Sequence, residues 1–286
     1  MQQFDTPSPL NKRTYFMFSS TWLNRISYLY LVLPFIIFCM TWLHFLIGLI
    51  GTVLVLFTLW LSWRGFHKTE RTLLFSIKQT VPAFILIFTW VALSGVGGYA
   101  FQNRDQYWRN AILHDLINYS WPVIYNTAAN YNQMLVYYIG YWLPAALAGK
   151  VFGWGIANAI LFISTFIGVA LTTLHLASRG RFSPLFSILL LIFFSGMDMV
   201  GVVLIAKTSY PVLIPPIQHL DAWADTLQYS SFTTQLFWVY NQAVPCWLCT
   251  IMIINREERS RQFLVWALCV FLAPLTAIGL FPLVLI

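Results

Sequence analysis

Between Ile26 and Trp63 the chain runs for 38 residues without a single Asp, Glu, Lys or Arg. One bilayer crossing needs about 20 apolar residues. The run is therefore read as two helices joined by a tight turn near His44–Gly48, a hairpin over 26–63. Composition agrees. Only 9% of the 286 residues are charged and 59% are hydrophobic, where a soluble domain carries roughly 25% charged residues. Disordered chains are polar and poor in aromatics, the opposite of the 18% aromatic content here. Four cysteines make no disulfide framework.

Five further apolar runs, Val81–Gly97, Trp154–Leu176, Pro184–Ala206, Gln235–Ile254 and Phe263–Ile286, bring the expected total to about seven spans. The fold class is all-α, a polytopic transmembrane helix bundle with juxtamembrane helices on its outer face, forming one transmembrane domain over 1–286. The segment Leu135–Phe152 is apolar enough to cross, and the positive-inside rule arbitrates. If it does not cross and the N-terminus is cytoplasmic, 12 cations lie inside and only Arg104, Arg109, Lys150 and Lys207 outside. If it crosses, the split becomes 9 against 7. The expectation is therefore an interfacial or re-entrant helix over 135–152, its Tyr137, Tyr138, Tyr141 and Trp142 at headgroup level. The same bias explains the net charge of +7 through cytoplasmic loops, with no need for nucleic acid as a partner. The implied location is a multi-pass protein of the cell membrane with the lipid bilayer as its surroundings.

This topology leaves two sizeable outward loops, over 98–153 and 207–234. Asp105, Asp115, Asp221 and Asp225 fall in them, and Asp198 lies in the outward half of its span. The first loop holds GGYAFQNRDQYWRNAILHDLINYSWPVIY. A helix from about Asp105 makes Asp105 and Arg109 an i,i+4 pair, and Asp115 follows just under three turns later. His114 and Asn110 lie on a neighbouring strip, and Trp121-Pro122 ends the helix. An ordinary solvated loop helix is the plain alternative. Asp198 sits in LLLIFFSGMDMVGVVLIA, where an acidic residue is costly and normally faces a cavity or a partner helix. In the second loop His219, Asp221 and Asp225 cluster around Trp223, and such side chains can hold a divalent cation such as Mg or Mn. Gln228 and Tyr229 open a run of hydroxyls and amides, extending to Asn241 and Gln242, suited to sugar hydroxyls or to plain interfacial anchoring. Cys246-x-x-Cys249 lies in a membrane helix and reads as two buried small residues.

The wording of Asn103-Arg-Asp105, LVYYIGYWLPAALAGK and Phe152-Gly153 resembles the GT-C superfamily of polytopic glycosyltransferases, over about residues 80–254. GGYAFQNRDQYWRNAILHDLINYSWPVIY, FFSGMDMVG and HLDAWADTLQYSSFTTQLFWVYNQAVPCWL resemble uncharacterised bacterial membrane proteins of this layout. The chain departs from the superfamily in placing a hairpin before the acidic loop, in lacking an Asp-Glu or Glu-x-Asp doublet, and in having fewer spans. The last departure implies the N-terminal part of a longer protein. The resemblance implies sugar transfer from a polyprenyl-phosphate-linked donor to an acceptor on the outer face. It makes Asp105 the base, Asp115 a second carboxylate, and Arg104, Arg109, Lys150 and Lys207 the candidates for the donor phosphate. Asn103, His114, Asp198, Trp223 and Tyr229 then line the cavity. From the residues alone, a transporter or lipid flippase with Asp198 in its path, or a non-catalytic scaffold, remain alternatives.

Overall fold

The computed structural model describes residues 15–64, 71–126, 132–180, 182–195, 230–254 and 259–285, with Val200 and Leu204. The charge-free run divides as expected. Helix α1 (Ser20–Trp42) and helix α2 (Phe45–Arg64) are separated only by Leu43 and His44. Gly48 permits their close approach, since a Cβ there would meet the Cys39 carbonyl oxygen 2.0 Å away. Helix α3 (Ile77–Leu93) leads through a glycine turn to helix α4 (Arg104–Asn118), and helices α5 (Leu143–Phe152), α6 (Trp154–Gly180) and α7 (Pro184–Phe193) follow. Beyond the second loop come α8 (Phe232–Ile253), α9 (Arg259–Leu272) and α10 (Pro274–Leu285).

Among the described residues four helices, α1, α2, α6 and α8, are long and apolar enough to cross a bilayer. Helix α6 is the centre: α1, α3, α5, α7 and α8 all pack on it. Gly168 makes one of these approaches possible, because a Cβ there would lie 2.4 Å from Val244 and 2.5 Å from the Tyr30 hydroxyl. Helix α2 rests on α1 and shows Leu46, Ile50, Leu54 and Phe57 to the surroundings. Large apolar side chains exposed in such numbers suit lipid and not water.

Two stretches differ from the sequence reading. The last apolar run, expected to be one span over Phe263–Ile286, is a folded-back pair of short helices. Trp266 donates to the Ala277 carbonyl at 2.8 Å and its ring lies 5.2 Å from that of Phe281. Neither α9 nor α10 is longer than 14 residues, roughly 21 Å at 1.5 Å per residue, short of a hydrocarbon core of about 30 Å. Pro274 is the cause: it has no N–H to continue the helix, and it displaces Ala273 from helical geometry. The second difference is a pair of small antiparallel ribbons in an otherwise helical chain. Strand β1 (Tyr15–Ser19) pairs with β2 (Thr72–Ser76) in the register Tyr15↔Ser76 to Ser19↔Thr72, and β3 (Ile124–Asn126) pairs with β4 (Asn132–Met134). His175 is buried and joins α6 to α1 through a 2.9 Å hydrogen bond with Ser27.

The segment 135–152 holds a 3-10 turn (Ile139–Trp142) and then the ten residues of α5, about 15 Å of helix, which is too short to cross. It lies against α4 and α6, with Trp142 fully buried and its indole donating to Tyr240 at 3.1 Å.

Candidate functional site

Helix α4 follows the end of α3 and buries one face, that of Gln106, Arg109, Leu113 and Leu116. Ser94 closes α3, and Gly95 takes a φ of 85°, the left-handed conformation usual after a helix end. A side chain at Gly95 would also strike the Phe101 carbonyl 2.7 Å away. The chain then turns back into Asn103, whose side chain accepts from the backbone N–H groups of Asp105 and Gln106 at 3.0 and 3.2 Å. This is an N-cap, which satisfies donors that a helix start otherwise leaves unpaired.

The other end of the Asn103 amide fixes α4 in space. Its nitrogen donates to the Phe237 carbonyl at 2.8 Å, and Gln106 donates to the same oxygen at 3.1 Å. That oxygen is open because α8 kinks: Val239 has φ −135° and ψ 35°. Side chains inserted into the i→i−4 ladder are a known cause of such kinks. Asn103→Ala is expected to cost about 1 kcal/mol for the cap and about 1 kcal/mol more for the Phe237 bond, read as a shift in chemical unfolding. Asn103→Asp should retain the cap but lose the second part.

One turn on, Arg109 is almost fully buried. Its Nη1 lies 3.3 Å from Asp105 Oδ2, its Nε donates to Asn241 Oδ1 at 3.3 Å, and the guanidinium carbon stands 5.9 Å from the Tyr240 ring centroid. A buried charge is tolerable only when paired and hydrogen-bonded in this way. Asp105, by contrast, keeps 45% of its side chain exposed. Asp105, Trp108, Arg109, Ile112, Asp115, Tyr125 and Tyr137 line one cavity of about 500 Å³ with Ala111. The 105–108–112–115 strip of α4 forms its floor, following helical spacing.

At the far end of the cavity Tyr125, from β3, donates to Asp115 Oδ2 at 2.5 Å. Burial and the neighbouring carboxylate push the Tyr125 phenol up to about 12. Because this value lies above the ordinary tyrosine value of about 10, the contribution to stability is whole below pH 10. It is lost as pH rises from 10 toward 12. Tyr125→Phe should therefore lower stability by about 1 kcal/mol at neutral pH, and the gap between variant and wild type should close in alkaline unfolding above pH 12.

The sequence-predicted residues fall into three groups. Asp105, Arg109 and Asp115 meet in the cavity. Asp105 and Asp115 stand ten residues apart, however, which is roughly 15 Å along the axis. Paired carboxylates that share one reacting bond sit about 5–9.5 Å apart, so the two do not form a pair. Asn103, Arg104, His114 and Lys150 are not among the lining residues. Asn103 is the cap, Arg104 is exposed, and His114 is exposed with Nδ1 3.6 Å from Asp115. Lys150 donates to the Ile117 and Tyr119 carbonyls at 3.2 and 2.5 Å and lies 5.0 Å from the Trp121 ring centroid. A lysine on the last carbonyls of a helix satisfies groups with no intrahelical partner, and burial pushes its ammonium pKa down. Asp198, Lys207, His219, Asp221, Trp223, Asp225 and Tyr229 lie outside the described residues. Within the described residues no group of three or more His, Cys, Asp or Glu could hold a metal ion.

Sequence reasoning missed Gln106, Asn241 and Tyr240 as supports and Trp108 and Tyr125 as walls. Asn241 offered a signal, a polar side chain four residues before Pro245 within an apolar helix. All four cysteines are buried and free, so Cys246 and Cys249 form no disulfide. A larger cavity, about 670 Å³, has an almost wholly apolar lining without any ionisable group. It is not a candidate for acid–base chemistry. Comparison of the chain with protein-family models, with curated proteins and with solved structures finds no match in any of the three.

Proposed function

We propose that the protein is a membrane glycosyltransferase of GT-C type, which moves a sugar from a polyprenyl-phosphate-linked donor to an acceptor hydroxyl at the extracytoplasmic face. The observation that carries this reading is the α4 cavity, where a half-exposed Asp105 stands 3.3 Å from a buried Arg109 between the aromatic walls of Trp108, Tyr125 and Tyr137. Aromatic faces suit the apolar faces of sugar rings. Buried arginine is the usual partner for phosphate because it stays charged and presents a fixed fork of donors.

In this mechanism the acceptor hydroxyl attacks the anomeric carbon, and the bond from that carbon to the phosphate oxygen breaks. Asp105 takes the hydroxyl proton, as a positioned general base. The departing polyprenyl phosphate carries the electron pair, and Arg109 offsets its charge. Asp115, held by Tyr125, orients sugar hydroxyls at the other end of the cavity. The cell membrane as location and a cytoplasmic N-terminus belong to the same proposal, and they are supported by the distribution of cations along the sequence.

The test is reconstitution of the full chain in vesicles with a panel of radiolabelled polyprenyl-phosphate monosaccharides and a membrane extract as acceptor source. Label moving from the lipid to a new product supports the reading. Absence of transfer from every member of the panel overturns it.

A further inference from the structure

The larger cavity is a lateral groove with a clear structural origin. Helices α1 and α3 both pack on α6 but hardly on each other, which leaves a slot between them. The strands β1 and β2 run directly into α1 and α3, respectively, so their pairing ties the two helices together at one end and closes the slot there. Phe16, Phe18 and Phe75 form that closed end. Leu23, Ala170 and Leu171 are buried at its floor, whereas Val81, Ile85 and Phe88 stand half exposed along the α3 wall. At about 670 Å³ it is within the usual 300–1,000 Å³ of ligand sites. The one polar side chain of its lining, Thr80, already donates to the Ser76 carbonyl at 2.8 Å, so its occupant is a hydrocarbon chain.

The groove opens sideways along the half-exposed α3 wall, and its ribbon end carries the complementary charge. Lys78 is exposed at the start of α3, and it precedes Val81 by three residues and Ile85 by seven, which puts all three on one strip of the helix. Arg25, a cation of α1 at the same end, faces elsewhere: its guanidinium lies 5.4 Å from the Trp22 and 5.6 Å from the Trp63 ring centroid. A lateral hydrocarbon slot with a cation at its ribbon end fits a lipid whose chain lies in the slot and whose phosphate stays at the surface, where basic residues attract anionic headgroups. We propose that the groove between α1 and α3 binds an anionic phospholipid, with one acyl chain along α3 and α6 and the headgroup phosphate at Lys78. The site belongs to the leaflet that meets the N-terminal ends of α1 and α3. It does not depend on the glycosyltransferase reading, because the α4 cavity follows the opposite end of α3.

The full chain, purified in mild detergent and stripped of lipid, is titrated with phosphatidylglycerol or with phosphatidylcholine of identical chains while thermal unfolding is followed. Phosphatidylglycerol should raise the melting temperature several degrees more than phosphatidylcholine. Lys78→Gln should remove that difference. Ile85→Trp, at an exposed position that tolerates a larger side chain, should weaken the response to both lipids. In a second measurement, phosphatidylglycerol with a diazirine in its acyl chain should label peptides of α3 and α6 in preference to the equally apolar α2. Equal responses to the two lipids, a preference that survives Lys78→Gln, or labelling of α2 as strong as that of α3 and α6 would each overturn the proposal. So would displacement of the label by polyprenyl phosphate but not by unlabelled phosphatidylglycerol, which would assign the groove to an isoprenoid chain.

Discussion

Asp105→Asn is expected to reduce sugar transfer by about 10²–10⁴-fold, the usual contribution of a positioned general base, while the protein still folds. The substitution preserves shape and leaves the N-cap untouched, because Asp105 contributes its backbone N–H to Asn103 and not its side chain. Arg109 keeps its bond to Asn241, and an amide oxygen can still accept from it; the loss of its half-exposed counter-ion is expected to cost about 1–3 kcal/mol, which the unfolding curves read. Asp115→Asn should cost much less, no more than about tenfold, since a residue roughly 15 Å along the helix cannot reach the same reacting carbon. The pair of variants separates a catalytic Asp105 from a merely acidic cavity. If the two lose activity equally, the base is assigned wrongly. Transfer rates from a polyprenyl-phosphate sugar, measured beside unfolding curves for both variants, decide the matter.

The second large effect concerns the buried arginine. Asn241→Leu removes the acceptor of Arg109 Nε and leaves a charged donor unmatched in the interior, so a loss of about 3 kcal/mol is expected. Arg109→Met removes the charge itself. It leaves the Asn241 amide without a partner, since Asn241 is fully buried and its Nδ2 already has none among the described residues. The expected loss is about 2 kcal/mol. The double variant Arg109→Met with Asn241→Leu replaces both polar groups by apolar ones of similar size, which is often nearly neutral. Its stability should therefore lie above that of Asn241→Leu alone. Strict additivity in such a cycle would mean that the 3.3 Å contact carries no energy. Activity gives a separate readout: the double variant should be stable and still inactive.

Much of this arrangement is legible in the sequence, for identifiable reasons. Charge-free runs have one stable environment, so α1, α2, α6 and α8 follow from Ile26–Trp63, Trp154–Leu176 and Gln235–Ile254 almost directly. The helix bearing Asp105, Arg109 and Asp115 was legible too, because spacing along a helix is local. The folding back of α9 and α10 was not, since hydropathy sums over a window and does not register one proline break at Pro274. Nor was the support of α4. Asn103 and Gln106 both bond the Phe237 carbonyl, 134 and 131 residues away in sequence, and no periodicity encodes a partner at that range. Lys150 shows a related limit. Its charge and side of the membrane suggested a phosphate ligand, but the last turn of α4 and the bend after it supply carbonyls that need a donor, and Lys150 is the donor within reach. The apolar groove was hidden for the same reason, because it arises from two helices that share a third while packing little on each other.

The most direct test of the central claim is to find where a lipid-linked sugar sits. The full chain in vesicles is incubated with a polyprenyl-phosphate hexose carrying a diazirine on the sugar, irradiated and digested, and the labelled peptides are identified. Labelling of 104–118 together with the peptides that hold Tyr125 and Tyr137, diminished by excess unmodified donor, is the predicted result. Labelling confined to other helices, or labelling of these peptides that excess donor does not diminish, would contradict the assignment of the α4 cavity as the site of transfer.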